Sequence, residues 1–285
     1  MATIKSALAC AEQLTAVSDS PRLDVEVLLA YALNHDRTFL YTWPELTIAS
    51  ESYRRFQALL HRRRMGEPIA YITGEKEFWS LSLIVDNKVL IPRPETELLV
   101  EIALSLWPDD GEPKRVLDLG TGSGAIALAL ASERLYWQIL GVEKNPESLR
   151  LAQKNLQRLF STSECGGRVS FCKSDWFSTV DPSLFDVIVA NPPYLDADDE
   201  HLQRGDVRFE PRGALVSENA GLADLEAIIE IAPEYLSASG WLLLEHGFQQ
   251  ATAVRQHLSQ TGFSRCFTRR DLLGQERVSG GRWQI

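Results

Sequence analysis

Nowhere does this chain run about 18 consecutive apolar residues, the length a membrane-spanning helix needs. Its start, Met1-Ala2-Thr3-Ile4-Lys5, also lacks a basic region followed by an apolar core and a cleavage site, so a soluble protein of the cytoplasm is expected. Cysteine is scarce: Cys10, Cys165, Cys172 and Cys266 form no C-x-x-C pair and have no histidine at metal spacing, so reduced thiols are expected and no metal site. Positive charge is short as well. A net charge of −10 argues against a broad, sequence-independent grip on nucleic acid, which needs a basic footprint, while leaving a protein partner open. What remains is ordinary globular material, 45% hydrophobic over 285 residues, enough for one large or two small domains.

Residues 1–75 read as a small helical module. Leu8, Ala9, Ala11, Leu14 and Val17 recur at helical spacing, and Pro21 is placed to open a second helix with Val25, Leu28, Leu29, Ala32 and Leu33 inward. Ser50 is the expected N-cap of a third, with Tyr53, Phe56, Leu59 and Leu60 inward and Arg55, Arg62 and Arg63 outward, until Gly66 and Pro68 end it. Those arginines are either a solvated face or a docking surface for an acidic macromolecule. From Pro68 the pattern becomes alternating: Phe78, Leu81, Leu83, Val85, Val89 and Leu90, with Asp86-Asn87 among them, predict a β-hairpin linker over residues 76–92. A larger domain, residues 93–285, follows. It opens on Ile91-Pro92-Arg93-Pro94-Glu95-Thr96-Glu97, where the acids either cap a helix near 95–106 or, with Arg93, face a cleft.

The larger domain alternates strands and helices. Apolar strands at residues 115–119, 138–142, 169–173, 187–190 and 241–245 are separated by helices, and 264–270 with 277–284 form a closing antiparallel pair. Seven strands in a mostly parallel, Rossmann-like sheet are the result, and parallel strands bring their carboxyl ends to one edge. After the first lie Gly120, Thr121, Gly122, Ser123 and Gly124, whose alternate glycines let backbone approach a ligand before a helix N-terminus. The bare pattern, completed by Ala125, also matches a nicotinamide or flavin fingerprint. Glu143 ends the second strand, where an acid can accept both ribose hydroxyls of an adenosine. Asp175 and Trp176 end the third, suited to an adenine amino group and an adenine face or to strand-end packing.

The fourth strand ends in Asn191-Pro192-Pro193-Tyr194. Two prolines fix φ and supply no N–H, so this turn offers carbonyl acceptors, the Asn191 carboxamide and the Tyr194 ring. It is either a surface turn or a grip for the hydrogens of a primary amide or amine. Hydride transfer suits the edge poorly, because no histidine, lysine or Ser/Tyr-x-x-x-Lys pair stands at these strand ends to handle a proton.

Residues 117–124 with 191–194 resemble the S-adenosylmethionine-dependent methyltransferases that alkylate amide or amino nitrogens. Pro68-Ile69-Ala70-Tyr71-Ile72-Thr73-Gly74, Glu77-Phe78-Trp79, residues 90–97, Phe209-Glu210-Pro211 and Glu276-Arg277-Val278 narrow the resemblance to the HemK/PrmC type, the N5-glutamine methyltransferases of peptide chain release factors. It spans essentially the whole chain. It implies that S-adenosylmethionine, leaving as S-adenosylhomocysteine, is held by Gly120, Thr121, Gly122, Ser123, Gly124, Glu143, Asp175, Trp176 and Asn191. It implies further that Asn191, Pro192, Pro193 and Tyr194 hold the glutamine of a Gly-Gly-Gln loop, with Asn191, Pro192 and Tyr194 doing the catalytic work. Glu143 stands where relatives more often carry aspartate, and the longer acid still reaches a ribose. A monomer acting on release factors, with no stable nucleic-acid or membrane partner, is the expectation. Methylation of a ribosomal-protein glutamine shares the same turn. Nucleic-acid N-methylation fits less well, because the 66 residues between Gly124 and Asn191 leave no inserted target-recognition domain. A non-catalytic cofactor-binding scaffold of the translation apparatus is the alternative from another class.

Overall fold

A computed structural model describes residues 2–160 and 167–284; Cys165 lies outside them. The chain divides into two compact units, residues 1–75 with 200–209, and residues 76–199 with 210–285.

In the first unit, α1 (Ile4–Leu8) tightens into a 3₁₀ turn over Ala9–Leu14, and α2 (Pro21–Leu33), α3 (Arg37–Thr42), α4 (Ser50–Arg64) and α5 (Ile69–Thr73) follow. Pro21 opens α2 as expected, its missing N–H being one the helix start leaves unpaired anyway. The cap of α4 differs from expectation: Ala49 holds that place without a side-chain hydrogen bond, and Ser50 is already helical. Fully buried Leu28, Leu29, Leu40 and Phe56 make the core, each contributing about 1.5–3 kcal/mol of burial. Arg63 corrects the outward reading of its helix face. It is 6% exposed, and its guanidinium donates to Asp24, to Asp206 and to the carbonyls of Gly66, Glu67 and Val17. A charge that deep is stable only when paired and fully bonded, and local helical periodicity gives no sign of a partner 39 residues away.

The hairpin is real, but its turn lies earlier than expected. β1 (Glu75–Phe78) and β2 (Leu81–Ile84) are joined by Trp79-Ser80, both left-handed (φ 52° and 59°), the two-residue turn whose twist matches its strands. Asp86-Asn87 does turn the chain, but the buried Val89 and Ile91 that follow sink into the second unit instead of pairing back.

The second unit is built on one sheet: β3 (Arg115–Leu119), β4 (Gln138–Glu143), β5 (Val169–Lys173), β6 (Phe185–Ala190), β7 (Leu236–Glu245), β8 (Ser264–Arg270) and β9 (Glu276–Arg282), in the order β5-β4-β3-β6-β7-β9-β8. All pairings from β5 to β7 are parallel; β9 runs antiparallel to β7 and to β8. Alternate residues feed two cores. Val116, Val187, Val189 and Leu243 pack with α6 (Glu97–Ser105) and α7 (Ala125–Glu133), whereas Leu117, Ile188, Leu242 and Leu244 pack with α9 (Ala223–Ile231) and α10 (Ala251–Thr261). Between β4 and β5 runs α8 (Pro146–Leu159). β7 begins five residues before the expected Trp241, because Ser237-Ala238-Ser239-Gly240 reads as a turn yet joins the strand through an irregular register. Among the described residues no helix is long and apolar enough to cross a membrane, and no group of side chains is arranged to hold a metal ion.

Candidate active site

Strand order reverses at β3, whose neighbours are β4 and β6, and a crevice opens at the carboxyl ends of such a reversal. Register pairs Leu119 with Ala190, so the loops leaving β3 and β6, the glycine loop and the Asn191 turn, start side by side. A cavity of about 510 Å³ lies there, walled by Gly120, Gly122, Glu143, Trp176, Asn191 and Pro193 among others.

Gly120, Gly122 and Gly124 all take positive φ (69°, 56° and 85°), which a side chain resists. A Cβ on Gly120 would stand 3.2 Å from the Trp176 ring, and one on Gly124 would stand 3.1 Å from Leu128 and Phe171. Two buried groups pin the loop. Asp118 Oδ2 accepts from Thr121 Oγ1 (2.6 Å) and the Ala127 N–H (3.2 Å), while its Oδ1 has no partner; burial pushes its pKa up to about 7 against the pull of Thr121. Asn155, on α8, donates from Nδ2 to the Ser123 carbonyl (2.9 Å) and to the Ile84 carbonyl (3.0 Å), and accepts the Ile84 N–H (2.7 Å). One carboxamide thus ties the glycine loop to β2.

Glu143 is half-buried at the end of β4, with Oε2 accepting the Gly122 N–H (3.0 Å) and Oε1 the Asn145 N–H (2.8 Å). Each oxygen keeps an unused lone pair, and Glu143 lines the cavity. Asp175 pairs with Lys144 at 2.7 Å on the rim. Trp176 holds φ at 48°, clamped by Ser174 Oγ, which donates to its carbonyl (2.7 Å), and by its own indole N–H, which donates to Asp224 (3.2 Å). Its ring lies over Gly120.

Asn191 and Pro193 line the cavity; Pro192 and Tyr194 are not on its wall. The Asn191 Nδ2 donates to Thr96 Oγ1 (3.1 Å). Tyr194 turns its hydroxyl to Glu245 Oε1 (3.4 Å) and packs its ring against the core, and burial with the nearby Glu245 carboxylate raises its pKa. Arg93 is ion-paired to the buried Glu210, which also accepts the Ile91 N–H (3.3 Å) and so anchors Pro211 on the far wall. Glu97 accepts the Trp79 N–H (2.8 Å).

Asp118, Asn155, Asp224, Thr96 and Glu245 belong to this site although the sequence reading singled out none of the last four. Glu245 alone had a signal, an acid ending the apolar run Leu242-Leu243-Leu244 on a parallel strand.

A seven-stranded sheet with this reversal, a glycine loop after β3 and an acid after β4 define a methyltransferase of the Rossmann-like class. The same fold is seen in a methyltransferase from Pyrococcus furiosus, with a TM-score of 0.54 and 20% identity over 82% of this chain and 100% of that one. The PrmC N-terminal domain family matches residues 6–74, and the methyltransferase small domain family matches residues 95–207. A release factor glutamine methyltransferase of Shewanella oneidensis is 51% identical over 95% of this chain and 92% of its own length, and one of Escherichia coli is 49% identical over 93% and 94%. The chain belongs to the release factor glutamine methyltransferase family.

Proposed function

We propose that this protein transfers a methyl group from S-adenosylmethionine to the side-chain amide nitrogen of the glutamine in the Gly-Gly-Gln loop of peptide chain release factors, and so modulates translation termination. One observation carries the reading. The Asn191 carboxamide and the glycine loop face a single cavity from adjacent parallel strands.

The residues suit the cofactor. Trp176, packed on Gly120, and Asp175 both line the cavity, an aromatic surface for a flat base and an acceptor for its amino group. Glu143 keeps lone pairs for a ribose diol, and Thr121 and Ser123 complete the wall. When bound, the cofactor supplies a methyl group on a positively charged sulfur that departs as a neutral thioether.

An amide nitrogen is a poor nucleophile because its lone pair is delocalised into the carbonyl. Asn191 Oδ1 and the Pro192 carbonyl each accept one hydrogen of the substrate NH₂, aim the lone pair into the cavity and ease its pyramidalisation; Pro193 and Tyr194 keep the turn rigid. Positioning is therefore the main catalytic contribution. The alkylated nitrogen is strongly acidic and sheds its proton to water, so no general base is required.

The test is incubation of the full chain with labelled S-adenosylmethionine and either release factor, a ribosomal protein or RNA. Label on the release-factor glutamine supports the assignment; label elsewhere, or none, refutes it.

A further inference from the structure

We propose that Gln250 is a positioning residue, whose carboxamide clasps the Tyr194 carbonyl and so fixes the direction in which the Asn191-Pro192-Pro193 turn presents its acceptors to the substrate amide. The inference deepens the reading that this turn holds the glutamine NH₂, and rests on it.

A turn built on two prolines is stiff but hard to anchor. Pro192 and Pro193 bring no N–H, so no backbone donor ties the turn down at those positions. Their rings fix φ at both, and Asn191 and Pro192, each of which precedes a proline, are confined to extended conformations. Few soft torsions remain between the end of β6 and Tyr194. The peptide plane that closes the turn, between Tyr194 and Leu195, therefore decides where the Pro192 carbonyl points.

That plane is held at both ends. The Leu195 N–H donates to the Leu215 carbonyl (2.9 Å), and the Tyr194 carbonyl accepts from Gln250 Nε2 (3.0 Å). The second hydrogen of the same NH₂ goes to the Ala220 carbonyl (3.2 Å), while Gln250 Oε1 takes the Gly247 N–H (2.9 Å). Carbonyls only accept and a backbone N–H only donates, so one orientation of this carboxamide satisfies all three neighbours and the flipped one satisfies none. The base of the side chain is equally fixed. The Gln250 N–H donates to the Gly247 carbonyl (2.9 Å), and the Gln250 carbonyl accepts from the Val254 N–H at the start of α10 (3.0 Å).

A strained segment completes the clasp. Asn219, Ala220 and Gly221 are consecutive left-handed residues (φ 54°, 54° and 81°), a conformation that alanine resists and that persists only where its surroundings impose it. Gly221 marks the contact, since a Cβ there would stand 2.1 Å from the Tyr194 oxygen and 2.8 Å from Gln250 Nε2. The backbone of this segment thus lies directly on the carbonyl that closes the turn, and Gln250 bonds to both.

The experiment is steady-state methyl transfer to release factor, at about pH 8 where a partly exposed glutamate is ionised, by the full-length protein and its Gln250→Met, Gln250→Glu and Asn191→Ala variants, with cofactor affinity measured by calorimetry. Methionine matches glutamine in size but makes none of its three hydrogen bonds. Glutamate keeps the acceptor for Gly247 and turns an oxygen, not a donor, on the Tyr194 and Ala220 carbonyls. Both should lower kcat between about tenfold and a hundredfold, the cost of misaimed groups, while KM for release factor and the cofactor Kd stay within about twofold. A packing role would spare Gln250→Met, and a role confined to the Gly247 turn would spare Gln250→Glu. Wild-type kcat in either therefore overturns the proposal, as does a loss of cofactor affinity equal to the loss of kcat. Should Gln250→Met fail to fold, the same change beside Ala220→Gly, which relieves the left-handed strain, decides. Wild-type turnover in Asn191→Ala would sink the underlying reading of the turn instead, whereas collapse there beside wild-type kcat in a Gln250 variant sinks this inference alone.

Discussion

Glu143 and Gly122 are joined by a backbone N–H···carboxylate bond of 3.0 Å, so the acid that ends β4 also shapes the loop that ends β3. Removing it acts twice. Glu143→Ala should weaken S-adenosylmethionine binding by at least about tenfold, since hydrogen bonds to a charged group contribute roughly 1.5–3 kcal/mol each. Calorimetry checks it, and an unchanged dissociation constant would take Glu143 away from the ribose.

Gly120 should tolerate nothing larger. Gly120→Ala places a Cβ 3.2 Å from the Trp176 ring on a backbone with φ of 69°, so the loop is strained and the indole that donates to Asp224 must give by a few tenths of an ångström. Cofactor affinity should fall by more than in Asp224→Ala, which frees the indole without displacing it; titration of intrinsic tryptophan fluorescence compares the two.

The buried arginine of the helical unit gives a stability prediction. Asp24→Ala leaves the Arg63 guanidinium with Asp206 and three carbonyls, a loss of about 3 kcal/mol, the low end for a broken buried pair. Asp206 is 40% exposed at its side chain, so Asp206→Ala should cost under about 1 kcal/mol. Denaturant melts should rank the two in that order.

Stability should also depend on pH through two carboxyls. Burial raises Asp118 and Glu245 to about 7, far above their unfolded values. Between roughly pH 4 and 7 the folded state therefore binds protons that the unfolded chain has released, and their contribution falls as pH rises until it levels off above about 7. Each contributes on the order of a few kcal/mol to that slope. Asp118→Asn should flatten the fall in melting temperature from pH 5 to 8; a slope as steep as in the parent would show that Asp118 is ionised throughout.

Most of the sheet was legible because its strands are short apolar runs ended by glycine, acid or Asn-Pro-Pro, and β3, β5 and β8 carry the expected bounds. What escaped was set by partners distant in sequence. Arg63 lies on a helix rich in exposed arginines, and Asp24 and Asp206, with three carbonyls, make it internal. Trp79-Ser80 carries none of the residues that favour a left-handed turn, yet the hairpin imposes one there, while Asp86-Asn87, which carries them, turns without pairing. Glu245 becomes a site residue only once β6 and β7 are known to be neighbours in register, and Thr96 only once the start of α6 is known to lie against Asn191, facts that no local pattern contains. The cavity-lining members of the glycine loop, Glu143, Asp175, Trp176 and Asn191 were legible because each follows its own strand.

The strip Glu200–Phe209 belongs to the helical unit although it follows β6 in the chain. Neither half of this polypeptide is accordingly one unbroken stretch. Severing it after Glu75 would yield a bundle short of its final piece, with Arg63 robbed of Asp206, and the complementary fragment would carry a ten-residue orphan with nothing to lie against. Separating what the two units do is better attempted by point changes than by scissors.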